Sequence, residues 1–222
     1  KAVETMDIAS IASNLVMRDG IWFSKSQSIL SYPDEGNELC FDLEDISYWF
    51  KHRNDCLVEV IKKYSPSEVF FDVGGGNGFV SLGLQNAGFE TVLIEPGIQG
   101  AINGKKRNIR HIVCSTLNDS GLAENSISAM GFFDVIEHIE DDSDFLKNTK
   151  RYLKMGGKIY ITVPAYNMIW SEDDNFAGHY RRYTIGKLNT MLAELGFEVE
   201  FSTYIFSILP LPIFLFRTLL GS

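Results

Sequence analysis

The feature that most constrains this chain is a short apolar segment that breaks into a glycine-dense turn. Residues 69–73 are Val-Phe-Phe-Asp-Val, residues 74–78 are Gly-Gly-Gly-Asn-Gly, and a helical pattern follows. Glycine is needed where a backbone adopts positive φ or approaches a ligand closely, and α/β proteins place such a turn at the carboxyl end of the first strand. A second apolar segment, 91–94, ends in Glu95, where an acid would hold the hydroxyls of a ribose. Together these features predict an adenosine-containing cofactor.

The spacing of the glycines indicates which class of cofactor-binding motif is present. The dinucleotide fingerprint is G-x-G-x-x-G, and it fits neither from Gly74 nor from Gly76, because the last position is not glycine in either frame. No Gly-Lys-Ser/Thr follows, which excludes a P-loop. The pattern present is Asp72-x-Gly74-x-Gly76-x-Gly78. A carboxylate just before the glycines would repel a pyrophosphate but suits a cation.

At these residues the chain resembles the class I S-adenosylmethionine-dependent methyltransferases, whose first motif is an acid-x-Gly-x-Gly-x-Gly turn. Residues 132–139, FFDVIEHI, resemble the family's fourth-strand motif in its small-molecule branch, which includes ubiquinone-precursor methyltransferases. Residues 153–160, LKMGGKIY, resemble the turn into its fifth strand, and the whole resemblance covers about 69–199.

The resemblance implies S-adenosylmethionine as cofactor and S-adenosylhomocysteine as product. The glycine turn would meet the methionine part, the acid after the second strand the ribose, and two hydroxyl residues after the third strand the adenine. The cofactor-binding residues implied in this way are Asp72, Gly74, Gly75, Gly76, Gly78, Glu95, Ser115, Thr116 and Phe133. An alternative for Phe133 is an ordinary place in the core.

Strand-like and helical segments alternate regularly from residue 69 onward, which predicts an α/β fold with a Rossmann-like, doubly wound, mostly parallel sheet and helices on both faces. Residues 1–66 are predicted to be an N-terminal helical extension, whose covering helix runs from about 45 to 64. Residues 67–222 are predicted to be a single methyltransferase unit. The predicted strands are 69–73, 91–95, 110–114, 127–135, 158–163 and 197–205, and the predicted helices are 77–87, 98–107, 142–154 and 184–195.

Methyl transfer from a sulfonium needs donor and acceptor to be aligned at near-attack distance. His138, expected at the carboxyl end of the fourth strand, is a candidate base for a hydroxyl acceptor because an imidazole titrates near neutral pH. The alternative is that it caps a turn. His179 is the second catalytic candidate and opens the cluster His-Tyr-Arg-Arg-Tyr.

This cluster follows the fifth strand and is expected to line the acceptor site. Arg181 and Arg182 could bind a carboxylate or phosphate of the acceptor bidentately, and the alternative is that one of them pairs with an acid in the segment 172–174. The predicted substrate-binding residues are Tyr166, Tyr180, Arg181 and Arg182.

Four residues of the sequence raise the hypothesis of a divalent metal site. Asp134, Glu137, His138 and the distant His179 are similar to the E-x-x-E-H motif and later histidine of metal-using O-methyltransferases that act on small RNA ends and on ubiquinone precursors. Here the first position is aspartate rather than glutamate. No metal site is therefore predicted.

The net charge and the pattern of cysteines limit the binding partners and the cellular location that can be expected of this chain. The formal net charge of -9 argues against a nucleic-acid partner, which requires a basic surface. Three cysteines without a pairing pattern, and an amino end without a signal pattern, predict a cytoplasmic location. The apolar segment 204–220 is interrupted by two prolines and an arginine, so a membrane span is not expected. Core packing, a dimer surface or a peripheral membrane contact near a lipid-linked acceptor stay open.

The function predicted is methyl transfer from S-adenosylmethionine to a small-molecule, lipid-linked or glycan acceptor, at an oxygen. The alternative is a cofactor-binding regulator or an inactive partner subunit with the same fold. The glycine spacing disfavours a nicotinamide-dependent oxidoreductase. The oligomeric state is not predicted.

Overall fold

The computed structural model describes residues 6–25, 34–64, 69–207, 211–212 and 215. By its internal contacts the chain divides into two compact units. The first unit comprises Lys1–Val135 and Thr149–Thr162, and the second unit comprises Ile136–Asn148 and Val163–Ser222. The boundary predicted between residues 66 and 67 stays a prediction.

The first unit is built on one sheet of seven strands in the order β1-β2-β5-β4-β3-β6-β7. Its strands are β1 (Leu15–Arg18), β2 (Ile21–Ser24), β3 (Phe70–Val73), β4 (Thr91–Ile94), β5 (His111–Cys114), β6 (Ile127–Phe133) and β7 (Leu153–Thr162). β1 and β2 pair antiparallel, and every other neighbouring pair is parallel. The predicted Rossmann-like, mostly parallel sheet is confirmed.

The order of the strands reverses beside β3. The chain runs from β3 through β4 to β5 on one side and then returns to β6 on the other side of β3. In open α/β sheets, ligands bind outside the carboxyl ends of the strands at such a reversal. The topology therefore places the glycine turn, which follows β3, where a cofactor is expected.

Eight α-helices have bounds within the described residues, five in the first unit and three in the second, and residues 211–212 and 215 are helical as well. Those of the first unit are α1 (Ile8–Ile11), α2 (Asp34–Ile46), α3 (Tyr48–Tyr64), α4 (Phe79–Asn86) and α5 (Ile98–Lys106); those of the second are α6 (Asp142–Thr149, whose last residue belongs to the first unit), α7 (Glu172–Ala177) and α8 (Ile185–Glu194). The described part of the chain holds no helix with the length and apolar character that a membrane crossing would require.

The N-terminal part is helical, as predicted, but it also adds two strands that the sequence analysis missed. β1 and β2 form a hairpin whose turn residues, Asp19 and Gly20, both have positive φ. A two-residue Asp-Gly turn of this kind is a hairpin signal, because it matches the twist of the flanking strands. β2 then pairs in parallel with β5, so the hairpin extends the sheet.

Three predicted boundaries are wrong. The helix expected from residue 45 is two helices, α2 and α3, separated at Ser47, whose hydroxyl accepts a hydrogen bond from the Trp49 amide. The helix expected over 142–154 ends at Thr149, and β7 begins at Leu153 because that residue already pairs with Ile127.

The strand expected over 197–205 does not form. Its alternation of apolar and polar residues is typical of a strand, but no strand among the described residues pairs with it, and residues 198–203 are exposed. Alternation alone does not make a strand, because β-propensity depends on packing against neighbouring strands. Most of the apolar segment 204–220 lies outside the described residues, so its proposed roles stay predictions.

Candidate active site

The glycine turn after β3 uses each of its glycines for a steric reason. Gly74, Gly76 and Gly78 have φ of +71°, +55° and +74°, a region that glycine enters without strain. Gly75 does not have a positive φ, but a Cβ on it would lie 2.5 Å from Leu93 Cδ1. The core beneath the turn therefore leaves no room for a side chain at Gly75, and the φ angles of the other three favour glycine.

Glu95 joins this turn to the loop after β4. Its carboxylate is buried and accepts hydrogen bonds from the backbone N–H of Gly76 at 2.8 Å and of Gly97 at 2.7 Å. The structure thus brings together the acid predicted to hold the ribose and the glycine turn predicted to contact the methionine part of the cofactor, which are separate in the sequence.

Asp72 is a buried carboxylate with an incomplete set of partners. The Ser81 hydroxyl donates to its Oδ2 at 2.7 Å, while Oδ1 has no hydrogen-bond partner in the described part of the chain. Burial raises the pKa of Asp72 to about 6, although hydrogen bonds from Ser81 and the charge of Arg53 lower it. A fully buried anion of this kind, at the start of the glycine turn, is suited to a cationic ligand group.

The remaining predicted cofactor residues lie at the ends of β5 and β6. Ser115 is buried and its hydroxyl donates to the Thr116 carbonyl oxygen at 2.9 Å. The Thr116 hydroxyl donates to an Asp119 carboxylate oxygen at 2.8 Å, which closes a turn. The Phe133 ring is stacked on Phe70 with centroids 6.2 Å apart, so its described contact belongs to the core. The adenine role of Ser115 and Thr116 and the cofactor role of Phe133 stay predictions.

A buried arginine, Arg107, holds α2 against the glycine turn. Arg107 Nη1 donates to Glu44 at 2.6 Å and to the Asn77 carbonyl oxygen at 3.2 Å. Its guanidinium also lies 4.5 Å from the Phe41 ring centroid and 5.1 Å from that of Phe79. Burial raises the pKa of Glu44, and the Arg107 charge opposes that rise. The arginine thus links the N-terminal helix to the middle of the glycine turn.

A second arginine, Arg53 on α3, holds the residue that follows β6. Its Nη2 donates to Asp134 Oδ2 at 2.6 Å and to the Thr162 hydroxyl at 2.8 Å, and that hydroxyl donates to Asp134 Oδ1. Asp134 has a φ of +58°, which is rare for a residue with a side chain. Such strain persists only where the surroundings impose it, and here two side chains grip the carboxylate.

In the second unit, the structure brings His138 and His179 together with Glu137. One ligand atom of each of the three residues lies within 4.8 Å of the others, and the two imidazole centroids are 4.7 Å apart. The Tyr180 N–H donates to the Glu137 carbonyl oxygen at 2.8 Å, which joins the turn 136–138 to the segment 179–183. The predicted pair of catalytic histidines is therefore one cluster, with a buried carboxylate added.

The other members of segment 179–183 are also fastened. Arg181 donates to the carbonyl oxygens of Ile139 and Glu140 and pairs with Asp142 at 2.8 Å. The Tyr183 hydroxyl donates to Asp142 at 2.6 Å, and burial, reinforced by that carboxylate, raises the pKa of Tyr183. The guanidinium of Arg181 is thus engaged within the protein.

Arg182 pairs with Asp174, as the alternative interpretation of the arginines expects. Its Nε and Nη2 donate to the two carboxylate oxygens at 2.7 and 2.9 Å. Although burial acts to raise the pKa of Asp174, hydrogen bonds from Arg182 and His179 lower it to about 2. As acceptor clamps, Arg181 and Arg182 stay predictions, and each would have to exchange an existing ion pair for the acceptor.

The two predicted aromatic contacts differ in their surroundings. The Tyr166 ring is stacked on Tyr204 with centroids 5.1 Å apart, and its backbone has a φ of +61°. Tyr180 is exposed beneath the Arg181 guanidinium, which lies 5.7 Å from the ring centroid. Their roles in acceptor binding stay predictions.

The cluster of Glu137, His138 and His179 has a donor set that fits a divalent first-row metal ion. Two imidazoles and one carboxylate are ligands that such ions accept, and Glu137 is 0% exposed, so a cation beside it would offset the cost of burying its charge. The carboxylate of Asp134, the fourth residue of the resemblance, is instead held by Arg53 and Thr162. Among the described residues, Glu137, His138 and His179 could therefore hold a metal ion, which the sequence did not predict.

Comparison with known proteins identifies the family. A family model described as a methyltransferase domain matches residues 49–201. A Mycolicibacterium smegmatis protein, named as a probable S-adenosylmethionine-dependent methyltransferase, is 22% identical over 174 residues; these are 76% of this chain and 66% of that relative's length.

Two solved structures show the same fold. A Haloferax volcanii methyltransferase in complex with the Trm112 activator superposes with a TM-score of 0.64 at 17% identity, over 79% of this chain and 80% of that one. Haemonchus contortus phosphoethanolamine N-methyltransferase 2, in complex with S-adenosylmethionine, superposes with a TM-score of 0.61 at 17% identity, over 86% of this chain and 49% of that one. With the family model matching more than half of its length, this chain belongs to the methyltransferase domain family, and its cofactor is S-adenosylmethionine.

Proposed function

We propose that this chain transfers the methyl group of S-adenosylmethionine to a hydroxyl oxygen of a small-molecule, lipid-linked or glycan acceptor. The observation that carries the proposal is the cluster of Glu137, His138 and His179. A hydroxyl is a poor nucleophile until its proton leaves, and imidazoles are the side chains best able to accept a proton near neutral pH.

The chain's own residues would divide the work. Asp72, the glycine turn and Glu95 would bind the donor and orient its sulfonium. Without a metal ion, one imidazole of the cluster would take the hydroxyl proton as the methyl group arrives. With a divalent ion held by Glu137, His138 and His179, both imidazoles would be ligands rather than bases; the ion would lower the pKa of the acceptor hydroxyl, and the proton would leave to water.

The test separates donor binding from turnover. Calorimetry with S-adenosylhomocysteine measures the donor site, and a panel of catechols, prenylated phenols, sugars and one phosphorylated amine measures transfer, with and without EDTA. We expect turnover with a hydroxyl acceptor, its loss in EDTA at unchanged product affinity, and its recovery with Mn²⁺ or Mg²⁺. Turnover that is insensitive to EDTA would contradict the metal part and leave His138 or His179 as a metal-free base.

Histidine variants supply the matched comparison. His138→Ala and His179→Ala are expected to lower kcat by about 10²–10⁴-fold, the usual contribution of a general base, with S-adenosylhomocysteine affinity within about twofold of wild type. His52→Ala on α3 is the control and is expected to keep activity. Equal activity in all three variants would contradict the assignment. Transfer to the amine alone would replace oxygen by nitrogen as the methylated atom.

The second candidate function is a cofactor-binding regulator or an inactive partner subunit. Arg181 pairs with Asp142 and Arg182 pairs with Asp174. Because both guanidinium groups already have a carboxylate partner within the protein, the predicted acceptor clamp would require each of them to give up an ion pair, and this favours the second candidate. Tight binding of S-adenosylhomocysteine without transfer to any acceptor of the panel would support this alternative.

We also propose a cytoplasmic location, with segment 204–220 in peripheral contact with the membrane when the acceptor is lipid-linked. Cysteine usage and the apolar composition of that segment support this proposal. Co-sedimentation with vesicles that contain a prenylated phenol tests it, and equal recovery in the supernatant with and without vesicles would contradict the membrane contact.

A further inference from the structure

Asp174 is a buried carboxylate next to the histidine cluster, and the proposed function gives it no role. Its side chain is 0% exposed. Oδ1 accepts hydrogen bonds from His179 Nδ1 at 2.8 Å and from Arg182 Nε at 2.7 Å. Oδ2 accepts from Arg182 Nη2 at 2.9 Å, from the Ser171 N–H at 2.8 Å and from the Ser171 hydroxyl at 3.3 Å. Five donors leave this carboxylate no freedom to rotate.

These contacts determine which nitrogen of His179 carries the proton. A carboxylate between an arginine and a backbone N–H is ionised, and an ionised carboxylate only accepts hydrogen bonds. The 2.8 Å contact to His179 therefore requires a proton on Nδ1. In the neutral ring, Nε2 then keeps its lone pair, which is the form that binds a metal ion or accepts a proton.

Arg182 makes this arrangement rigid. Its two parallel hydrogen bonds to Asp174 are the strong, bidentate kind, and its Nη1 also donates to the Ala165 carbonyl oxygen at 3.1 Å. The guanidinium is thus anchored to the backbone on one side and to the carboxylate on the other. An arginine that is used in this way acts on His179 through Asp174.

We propose that Asp174, held by Arg182, is a positioning residue that fixes His179 in the Nδ1–H tautomer and presents its Nε2 to the metal ion or acceptor. The use of Nε2 rests on the proposed function, but the tautomer itself does not. Carboxylate partners of metal-binding histidines are generally worth 10–100-fold in metal affinity, and an amide in place of such a carboxylate can hold the ring in the wrong tautomer.

The test uses the full chain with Asp174→Asn, with Asp173→Asn as the matched control. Asp173 precedes Asp174 on α7 and is exposed. The tautomer of His179 is measured by ¹⁵N NMR of the metal-free protein at about pH 8, where an ordinary imidazole is neutral; its resonances are assigned by comparison with His179→Ala. Calorimetry with Mn²⁺ and with S-adenosylhomocysteine gives the two affinities.

We expect wild type and Asp173→Asn to show the Nδ1–H tautomer and Asp174→Asn to lose it. Mn²⁺ affinity should fall about 10–100-fold in Asp174→Asn, with S-adenosylhomocysteine affinity unchanged. Arg182→Lys keeps the charge but loses the bidentate geometry and should give an intermediate loss. A wild-type ring with its proton on Nε2, or an Asp174→Asn variant with unaltered tautomer and Mn²⁺ affinity, would overturn the proposal.

Two safeguards keep the result interpretable. If Asp174→Asn does not fold, the wild-type tautomer and the Arg182→Lys variant still decide. If wild type binds no Mn²⁺ but shows the Nδ1–H tautomer, which Arg182→Lys weakens, then the metal part of the proposed function fails while the positioning role of Asp174 stands.

Discussion

Replacing Asp72 by asparagine should stabilise the cofactor-free protein at neutral pH and weaken its hold on the cofactor. The buried carboxyl of Asp72 has a pKa of about 6 in the folded protein, against 3.8 for an ordinary aspartate. Because the folded pKa is the higher one, the folded state favours the protonated carboxyl. The corresponding stability is fully present below about pH 4 and is lost as the pH rises through about 6.

The size of the effect follows from the shift. A difference of about 2 pKa units corresponds to ~3 kcal/mol of stability that the wild type lacks above pH 6. The amide carries no charge, but its NH₂ group would occupy the place of an oxygen without a hydrogen-bond partner, at a cost of ~1–2 kcal/mol. We therefore expect Asp72→Asn to be ~1–2 kcal/mol more stable than wild type at pH 8. Roughly half of the ~3 kcal/mol should be lost by wild type between pH 5 and pH 8.

Urea denaturation of the cofactor-free protein between pH 5 and pH 8 measures this difference. The stability advantage of Asp72→Asn should grow by ~1.4 kcal/mol over that interval, while Asp55→Asn, at an exposed position of α3, should stay within ~0.5 kcal/mol of wild type. Affinity for S-adenosylmethionine should fall about 10–100-fold, the value of a charge-assisted hydrogen bond. A stability difference that does not change with pH would refute the reasoning.

Two further substitutions test the surroundings of the glycine turn. Gly75→Ala should reduce S-adenosylhomocysteine affinity at least tenfold in calorimetry, because its Cβ would lie 2.5 Å from Leu93. The control Gly186→Ala, which has open space around it, should leave that affinity unchanged. Equal affinities of the two variants would count against a closely fitted turn. Arg107→Met should destabilise the protein by ~3–5 kcal/mol in urea denaturation because it leaves Glu44 buried without its cation, and Glu44→Leu in the same chain should restore part of the loss. A full ~3–5 kcal/mol loss in the double variant would show that the arginine acts through packing rather than charge.

The sheet was predictable because its determinants are local in the sequence. β3 and β4 are short, continuous apolar segments with every residue buried, as parallel strands covered on both faces require. The missed hairpin had a local signal as well, the pair Asp19-Gly20, whereas the segment 197–205 had the right alternation but pairs with no strand of the described part of the chain. Strand pairing is a property of two segments, so a pattern within one segment cannot guarantee it.

The polar side chains around the candidate site were less predictable than the sheet, because most of them are defined by partners that are distant in the sequence. Glu95 and the glycine turn are recognisable because a nucleoside-like ligand imposes their spacing. Arg53 and Arg107 carry no such pattern: Arg53 lies within α3 and Arg107 follows two lysines at the end of α5. Each becomes informative only when its carboxylate partner is brought beside it. Asp174 was foreseen as a partner for an arginine, but its hydrogen bond to His179 depends on the turn of the chain at Gly178, with a φ of +72°.

Two buried carboxylates, Asp174 and Asp72, differ in how completely the chain satisfies them, and this difference bears on function. In the second unit, Asp174 is satisfied by five donors and its pKa lies near 2, so the chain itself supplies everything that the anion needs. In the first unit, Asp72 keeps one oxygen without a hydrogen-bond partner and a pKa near 6. A saturated carboxylate can hold another residue in place but has no capacity left for a ligand, whereas an unsaturated one gains stability when a cation arrives. By this argument Asp174 positions another residue and Asp72 binds a ligand, and substitution of Asp72 should be the one that stabilises the cofactor-free protein.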